Sequence, residues 1–145
     1  MKRVAGLQYD VLDELLGFSL RRAQLAMFRA FHEATRGVDI TPPRFTALVI
    51  IGANPGLSQS VLGRVLGIAR SGAMLLTDWL ETRGLVERKR RPHDGRAWGL
   101  YLTRRGEQHV ARMKARVAQS DLRRARALSG RERRELLRLL EKLAA

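Results

Sequence analysis

The sequence predicts a mainly α-helical fold with one small β-hairpin. Apolar residues recur every three or four positions over most of the 145-residue chain, which is the spacing of amphipathic helices. Ser, Thr, Pro and Gly divide this pattern into separate helices. The helical pattern stops at residues 86–103, where two apolar, strand-like runs flank a basic segment. We therefore expect helices on both sides of a single hairpin.

The first helix is predicted from Tyr9 to Thr35, and it carries apolar residues on more than one face. One stripe consists of Leu12, Leu15, Leu16, Ala23, Met27, Ala30 and Phe31, and a second consists of Val11, Phe18, Leu25 and Phe28. Such a helix has to be covered on more than one side. Two interpretations stay open: the helix packs against a partner chain, or it is the central helix of a monomer.

The second helix is expected to begin at Thr41-Pro42-Pro43. The Thr hydroxyl can cap a helix, and proline is tolerated at the first helical position because its missing N–H has no partner there. Phe45, Leu48, Val49 and Ile51 form the buried side, and Asn54-Pro55-Gly56 ends the helix.

Two further helices follow with a tight turn between them. Ser58 caps a short helix that ends at Gly67. After Ile68-Ala69, another helix runs from Arg70 to Arg83, and Gly84 terminates it. Two helices joined by a turn of about three or four residues form a helix-turn-helix, whose second helix can enter a major groove of DNA.

The hairpin runs from Val86 to Thr103 and has a basic, turn-forming tip. Five cations surround Asp94 in this tip, namely Arg88, Lys89, Arg90, Arg91 and Arg96. The phosphate backbone of a duplex is a common partner for cations on a projecting hairpin, whereas a solvated loop is the alternative. The preceding helix-turn-helix favours the first interpretation.

Two helices are predicted after the hairpin. Thr103 caps one that runs from Arg104 to about Ala127, and Ser129-Gly130-Arg131-Glu132 is a capping box that starts the last. The last helix repeats Leu136, Leu139, Leu140 and Leu143 at helical spacing, so it needs a covering surface. This region also holds many arginines, which either form a solvated face, extend a DNA footprint or bind a phosphorylated ligand: Arg112, Arg116, Arg123, Arg124, Arg126, Arg131, Arg133, Arg134 and Arg138.

Composition limits the function classes. The net charge of +14 favours a polyanionic partner. No cysteine is present and the three histidines are far apart in sequence, so we expect neither a metal site nor a cofactor. We find no catalytic motif, no secretory signal and no apolar run long enough to span a membrane, and we expect a cytoplasmic protein that is not an enzyme. A basic RNA-binding or ribosome-associated module is the alternative from another class, and membrane binding is disfavoured because the last helix has no Trp or Phe anchor.

From Thr41 to Gly106, the order of helix, short helix, turn, helix and basic hairpin is that of a winged helix-turn-helix. The informative residues of this stretch are Leu57-Ser58-Gln59, Leu62, Leu66-Gly67-Ile68, Arg70-Ser71, Asp78, Leu80-Glu81, Arg83-Gly84-Leu85-Val86, Arg88, Asp94-Gly95-Arg96 and Leu102-Thr103 with Gly106. In these residues and spacings the sequence resembles the MarR family of bacterial transcription regulators. The flanking helices fit the dimerisation region of that family by position and pattern only.

The resemblance implies one domain over residues 1–145. Residues 41–103 would form its winged helix-turn-helix lobe, and residues 8–40 and 104–145 its dimerisation helices. It further implies a homodimer that binds a palindromic DNA operator, most simply as a repressor. Each subunit would place one recognition helix in a major groove and one wing in the adjacent minor groove.

Specific DNA contacts are implied by the same resemblance. Arg96 would enter the minor groove, and Asp94 would orient it. Phosphate contacts would come from some of the four wing cations Arg88, Lys89, Arg90 and Arg91, because side chains alternate along a strand. On the recognition helix, the positions that face DNA are Arg70, Ser71, Gly72, Met74 and Leu75, while Ala73, Leu76, Thr77 and Leu80 face the core. The family usually has polar groups where this chain has Gly72, Met74 and Leu75, so an alternative is that Met74 and Leu75 pack beneath the wing or against the adjacent helix.

A small-molecule effector is also implied, because many members of the family lose DNA affinity when a small anion binds. An aromatic acid or an acyl-CoA thioester would suit an apolar, partly cationic lining. The candidate residues are Phe18, Arg22, His32, Phe45 and His109.

Overall fold

Six α-helices and one antiparallel hairpin form the part of the chain that the computed structural model describes, residues 3–91 and 94–145 without the side chains of residues 94–96. The helices are α1 (Leu16–Ala34), α2 (Pro42–Ala53), α3 (Gln59–Leu66), α4 (Arg70–Thr82), α5 (Arg104–Arg124) and α6 (Gly130–Ala144). The hairpin consists of β1 (Val86–Arg91) and β2 (Asp94–Leu102). The predicted fold class is confirmed.

The N-terminal region differs from the single helix expected over residues 9–35. A short 3₁₀ helix spans Asp10–Asp13, and α1 begins only at Leu16 because Leu15 has extended backbone angles. Asp10 has a φ of 49°, which is unfavourable for a residue with a side chain and is incompatible with a continuous α-helix. The first helix is therefore one turn or more shorter than its apolar pattern indicates.

Helices α2 and α3 begin and end where the sequence predicts, and α4 begins at the predicted Arg70 but ends at Thr82, one residue before its predicted end. Ser58 accepts a hydrogen bond from the Val61 N–H, and Gly67 ends α3 in the left-handed conformation. Thr41 is the N-cap of α2, but its hydroxyl makes no capping bond, so that detail was wrong. The two prolines that follow it have no N–H that could donate to the hydroxyl at the first two helical positions.

Close packing joins α3 to α4. A Cβ added to Gly63 would lie 3.2 Å from the Cβ of Ala73, so the glycine allows the two helices to approach. Leu48 of α2, Leu62 of α3 and Leu80 of α4 are completely buried. These contacts fix which face of α4 is left for a partner.

The hairpin is anchored to the segment that precedes α3. Val86 pairs with Leu102 and Arg90 with Trp98 along the two strands. Leu100 also exchanges two backbone hydrogen bonds, donating its N–H to the Leu57 carbonyl and accepting one from the Gly56 N–H, each at 2.9 Å. The base of the wing is therefore part of the same packed structure as the helix-turn-helix.

The C-terminal helices have the predicted caps. The Thr103 hydroxyl accepts a hydrogen bond from the Gly106 N–H at 3.0 Å at the start of α5. Ser129 and Glu132 form the reciprocal capping box of α6. Helix α5 ends at Arg124, three residues before its predicted end, and α6 buries none of its residues.

Contacts divide the chain into two units, which we describe separately. The winged unit is residues 37–115, with α2 to α4, the hairpin and the first part of α5. The helical unit is formed by the described residues up to Arg36 together with residues 116–145. Within the helical unit, the Ser120 hydroxyl donates a hydrogen bond to the Ala30 carbonyl at 2.9 Å, which ties the end of α5 to α1.

Candidate nucleic-acid interface

Helix α4 presents one face to the core and the opposite face to solvent. Ala73, Thr77 and Leu80 are buried, as predicted, and Leu76 is half-buried. On the opposite face, Met74 is 48% exposed and Leu75 is 67% exposed. Leu75 is therefore not packed beneath the wing or against a neighbouring helix, whereas Met74 is partly covered, and the contact of both residues with DNA stays a prediction.

The N-terminal ends of α3 and α4 enclose an open groove of about 630 Å³. Its lining residues offer hydroxyl, amide and guanidinium groups beside one thioether: Ser58, Gln59, Ser60, Arg70, Ser71 and Met74. Backbone N–H groups at helix N-termini and nearby hydroxyls favour anions such as phosphate. Arg70, Ser71 and Met74 of the predicted set thus share one groove.

The groove adds three polar residues that sequence reasoning assigned no DNA contact. Ser58 was interpreted as a helix cap, Ser58 and Gln59 also belong to the residues that resemble the MarR family, and Ser60 was not selected. A usable signal was present, because consecutive polar side chains at the start of the first helix of a helix-turn-helix lie where that helix crosses the DNA backbone.

Arg88 has a different role from the one that the sequence indicated. Its Nη2 donates to Oδ1 of Asp78 at 2.7 Å, its Nη1 donates to Glu81, and its backbone N–H donates to Oε1 of Glu81 at 3.1 Å. A third side chain, Gln59, accepts from Nη2 at 3.3 Å. Because its guanidinium is engaged by two carboxylates, Arg88 is not an available phosphate contact. It joins the first wing strand to α4.

The next three wing cations have different environments. Lys89 pairs with Glu87 at 2.6 Å and is exposed. The guanidinium of Arg90 lies over the ring of Trp98, 4.6 Å from its centre. Arg91 is half-buried, and its Nε has no hydrogen-bond partner among the described residues. Lys89 and Arg90 are thus the exposed cations of β1, and their contact with phosphates stays a prediction.

The tip of the wing carries Asp94 and Arg96, for which the most specific DNA contacts are predicted. The backbones of Asp94 and Arg96 belong to β2, whereas their side chains lie outside the described residues. The proposed minor-groove role of Arg96 and the orienting role of Asp94 therefore remain predictions.

Trp98 is an exposed aromatic residue on the wing that the sequence analysis did not select. Its side chain is 53% exposed on β2, beside its strand partner Arg90. A Trp paired with a cation on a projecting strand offers both a flat apolar face and a positive charge to a neighbouring DNA backbone. The available signal was its position one residue after a basic turn in a strand-like run.

A second Trp, on α4, joins that helix to α2. The guanidinium of Arg44 lies 3.6 Å from the centre of the Trp79 ring, and that of Arg83 lies 3.7 Å from it. Asp39 forms ion pairs with both arginines. The two guanidinium groups are stabilised by the ring and by one carboxylate, so Trp79 is a packing contact between α2 and α4.

The five predicted effector residues are distributed over both units. In the helical unit, Phe18 lies 5.9 Å from the ring of Tyr9 and beneath the guanidinium of Arg22, and His32 is exposed beside Phe31. Phe45 and His109 belong to the winged unit and are half-buried. Their assembly into one binding site stays a prediction.

His109 is held in an environment that disfavours its charged form. Burial of the ring lowers the pKa of His109 below its ordinary value of 6.5, and the positive charges of Arg112 and Arg105 lower it further. Its Nε2 is buried and has no hydrogen-bond partner in the described part of the chain. The imidazole is therefore a neutral group near pH 7, available to a ligand or to water as a hydrogen-bond partner.

Comparison with known proteins decides the family. The model of the MarR family matches residues 38–97. A protein of Thauera aromatica described as the transcriptional regulatory protein for the hcr operon is 39% identical over 129 residues, covering 88% of this chain and 78% of the relative. The chain belongs to the MarR family. It is thus a ligand-responsive, DNA-binding transcriptional repressor that forms dimers, and not an enzyme.

Solved structures agree with this membership. The MarR regulator matches the repressor CouR bound to a 23-mer DNA duplex with a TM-score of 0.89 and 38% identity, covering 97% of this chain and all of that one. CouR bound to p-coumaroyl-CoA matches with a TM-score of 0.84 and 38% identity, over 95% of this chain and 97% of that one. In the first of these structures, CouR is bound to a DNA duplex, so a protein of similar fold is known in complex with DNA.

Metal-binding clusters and membrane-spanning helices are both absent from the described part of the MarR regulator. Among residues 3–91 and 94–145, no three His, Asp or Glu side chains lie close enough together to hold a metal ion. Within the same described ranges, no helix has the length and apolar character needed to cross a membrane.

Proposed function

We propose that this repressor binds a palindromic operator through α4 and the wing of each subunit. Arg70, Ser71, Gly72, Met74 and Leu75 of α4 face the major groove, with Lys89 and Arg90 on the phosphates and Arg96, oriented by Asp94, in the minor groove. The observation that carries this proposal is the exposed face of α4 beside the polar groove at residues 58–60. A repressor of this kind acts where the bacterial chromosome lies, in the cytoplasm.

Base recognition by α4 relies on few hydrogen-bonding groups. Arg70 can make a bidentate contact to guanine, whereas Met74 and Leu75 can contact the methyl groups of thymine but form no hydrogen bonds with base edges. Specificity then depends on Arg70, Ser71 and the shape of the minor groove read by Arg96. Mutations in the wing should therefore reduce specificity more than is usual for a helix-turn-helix protein.

The helices outside residues 41–103 are proposed to hold the two recognition helices at the spacing of successive major grooves. Half-sites on one face of DNA lie roughly 34–36 Å apart. The exposed leucines of α6 supply a surface of the kind that a second copy covers.

The effector is proposed to be an aromatic acid or its CoA thioester. CouR, which is 38% identical, has been solved with p-coumaroyl-CoA. Phe18, Arg22 and His32, with Phe45 and His109, provide aromatic, cationic and neutral hydrogen-bonding groups for such a ligand. Binding would shift the dimer towards a spacing that no longer matches the half-sites.

Fluorescence anisotropy with a labelled duplex from the region upstream of the gene tests this function. Arg96→Ala should weaken operator binding by about 1–3 kcal/mol without lowering the melting temperature, while Arg131→Ala on α6 should leave binding unchanged. Equal affinity for the operator and for single-stranded RNA would contradict the proposal.

The same assay tests the effector and the role of Leu75. Addition of p-coumaroyl-CoA or a free aromatic acid should release the duplex from the wild-type protein. Leu75→Arg should raise the affinity for a random duplex if this residue faces DNA. A lowered melting temperature with unchanged DNA affinity would instead place Leu75 in a packing role.

A further inference from the structure

A second groove lies entirely within the helical unit. Its volume is about 700 Å³, which is within the range of about 300–1,000 Å³ typical of small-molecule sites. Four arginines, one serine and two alanines line it, and no Asp or Glu is among these residues. The arginines are Arg3, Arg22, Arg29 and Arg124.

The position of these side chains follows from helical spacing. Ser19, Arg22, Ala26 and Arg29 are separated by three or four residues, so they share one face of α1. The alanine between the two arginines leaves space for a ligand. Arg124, the last residue of α5, adds a third cation to the face made by α1.

The groove has an excess of unpaired positive charge. Arg3 is neutralised by Asp13, but none of Arg22, Arg29 and Arg124 has a carboxylate partner among the described residues. The Nε of Arg22 is buried and has no hydrogen-bond partner in the described part of the chain. Three cations that line one groove repel one another, and a bound anion with several oxygens would relieve that repulsion.

The chemistry of the lining suits the oxygens of a phosphate group. Guanidinium groups bind phosphate oxygens in bidentate pairs, and a hydroxyl such as that of Ser19 can donate to a third oxygen. A groove of this volume also has room for a sugar and a base beside the phosphates. The stacking of Arg22 on Phe18, 5.7 Å from the ring centre, holds this guanidinium in position before a ligand arrives.

We propose that the arginine groove of residues 19–29 and Arg124 binds the phosphate groups of an adenine nucleotide, either free or as the nucleotide end of a CoA thioester. The second source rests on the proposed function, because a CoA effector carries its acyl group and its phosphorylated nucleotide at opposite ends of one molecule. The groove then holds the charged end of the effector.

Isothermal titration calorimetry of the full chain tests this proposal without DNA. The probes are adenosine 3′-phosphate 5′-diphosphate and coenzyme A, which carry the same phosphate groups. Arg22→Gln and Arg29→Gln should each weaken binding of both probes at least tenfold. Arg21→Gln is the matched control, because it removes the same charge from the neighbouring position of α1 without touching the groove, and it should leave binding unchanged.

The two sources are separated by comparing the probes. Tighter binding of coenzyme A than of adenosine 3′-phosphate 5′-diphosphate indicates that the rest of the CoA molecule is also bound, whereas equal binding indicates a free nucleotide, and both results support the groove. Absence of binding by either probe, or equal weakening by Arg21→Gln, would overturn it. Circular dichroism checks that each variant is folded. If Arg22→Gln is unstable, Arg29→Gln still tests the groove, because Arg29 is exposed.

DNA phosphates are the competing occupant, and operator affinity distinguishes them. Arg22→Gln and Arg29→Gln should leave operator binding unchanged if the groove takes a nucleotide. A loss of operator affinity with unchanged nucleotide binding would overturn the proposal. Failure of the proposed effector function has a different signature, in which the wild-type protein binds both probes yet stays on the operator when p-coumaroyl-CoA is added.

Discussion

The winged unit buries its own core, whereas the helical unit leaves most of its apolar residues exposed. Of the thirteen buried apolar residues in the described chain, twelve lie in the winged unit and Phe31 alone lies in the helical unit. The contrast is sharpest between α4, which buries Ala73, Thr77 and Leu80, and α6, which buries nothing. The first unit is complete as a packed body, and the second requires another surface.

The exposed apolar residues of the two units consequently suit different kinds of partner. On α4, Met74 and Leu75 are two neighbours among Arg70, Ser71 and other polar groups. On α6, the exposed leucines recur at helical spacing from Leu136 to the end of the helix and form a continuous stripe: Leu136, Leu139, Leu140 and Leu143. A small apolar patch within a polar groove suits DNA, and a long apolar stripe suits a second protein chain.

The largest effect is expected from loss of the α6 stripe. Leu139→Gln should raise the dimer dissociation constant at least 100-fold, because two-fold symmetry removes two buried leucines, each worth about 1.5–3 kcal/mol. Light scattering measures the mass of the protein in solution and so distinguishes dimer from monomer. Lys142→Gln, which places the same side chain on a polar position of α6, should leave the dimer intact. If Leu139→Gln is still a dimer, α6 is not part of the interface, and the contrast between the two units does not hold.

The next effect tests whether the winged unit is held together by its own contacts. Trp79→Ala should lower the free energy of unfolding by about 2–3 kcal/mol, since Arg44 and Arg83 both lose their stacking partner. Trp98→Ala should lower the free energy of unfolding by less than about 1 kcal/mol, because this exposed ring contacts one cation, Arg90. Urea titration followed by circular dichroism measures both. Equal losses would show that the α2–α4 stack adds no stability to the unit.

A somewhat smaller loss of stability is expected when Arg88 of the winged unit is replaced. Arg88→Ala should lower the free energy of unfolding by about 1–2 kcal/mol, because half-buried Glu81 loses its partner. Lys89→Ala removes an exposed ion pair and should change stability by less than about 1 kcal/mol. If Arg88→Ala instead weakens DNA binding while stability is unchanged, the original prediction of a phosphate contact is restored.

The smallest expected effect is on the pH dependence of the stability of the winged unit. Because the pKa of His109 is lowered in the folded chain, the unfolded chain binds a proton in a pH range in which the folded chain does not. The contribution of His109 to stability is complete above pH 6.5 and falls as the pH drops below it, by at most about 1.4 kcal/mol per pH unit. His109→Gln should remove this part of the slope, and exposed His32→Gln should not. An unchanged slope in His109→Gln would contradict the buried, neutral imidazole.

Local signals allowed much of the fold to be predicted. Ser58, Gly67 and Ser129 act at the helix ends where they stand, so their roles depend on neighbouring residues alone. The break before α1 was missed because a 3₁₀ turn at Asp10–Asp13 preserves apolar spacing while changing the backbone. The sequence pattern therefore identifies the helical regions better than their exact ends.

The candidate site was less predictable, because it depends on contacts between distant residues. Arg88 meets Asp78 and Glu81 only through the register of β1 against α4. A basic residue in a wing strand carries the same sequence signal whether it faces DNA or a carboxylate. The groove that Ser58, Gln59 and Ser60 share with Arg70 likewise requires the packing of α3 on α4.

Hydrogen exchange of the full chain over a dilution series tests the contrast between the two units most directly. At concentrations where light scattering gives a monomer, amides of α6 should lose their protection, while those of α2 and α4 keep it. The account predicts this separation because α6 is covered by a second copy and the winged unit covers itself. Equal loss of protection in both units, or protection of α6 in the monomer, would contradict it.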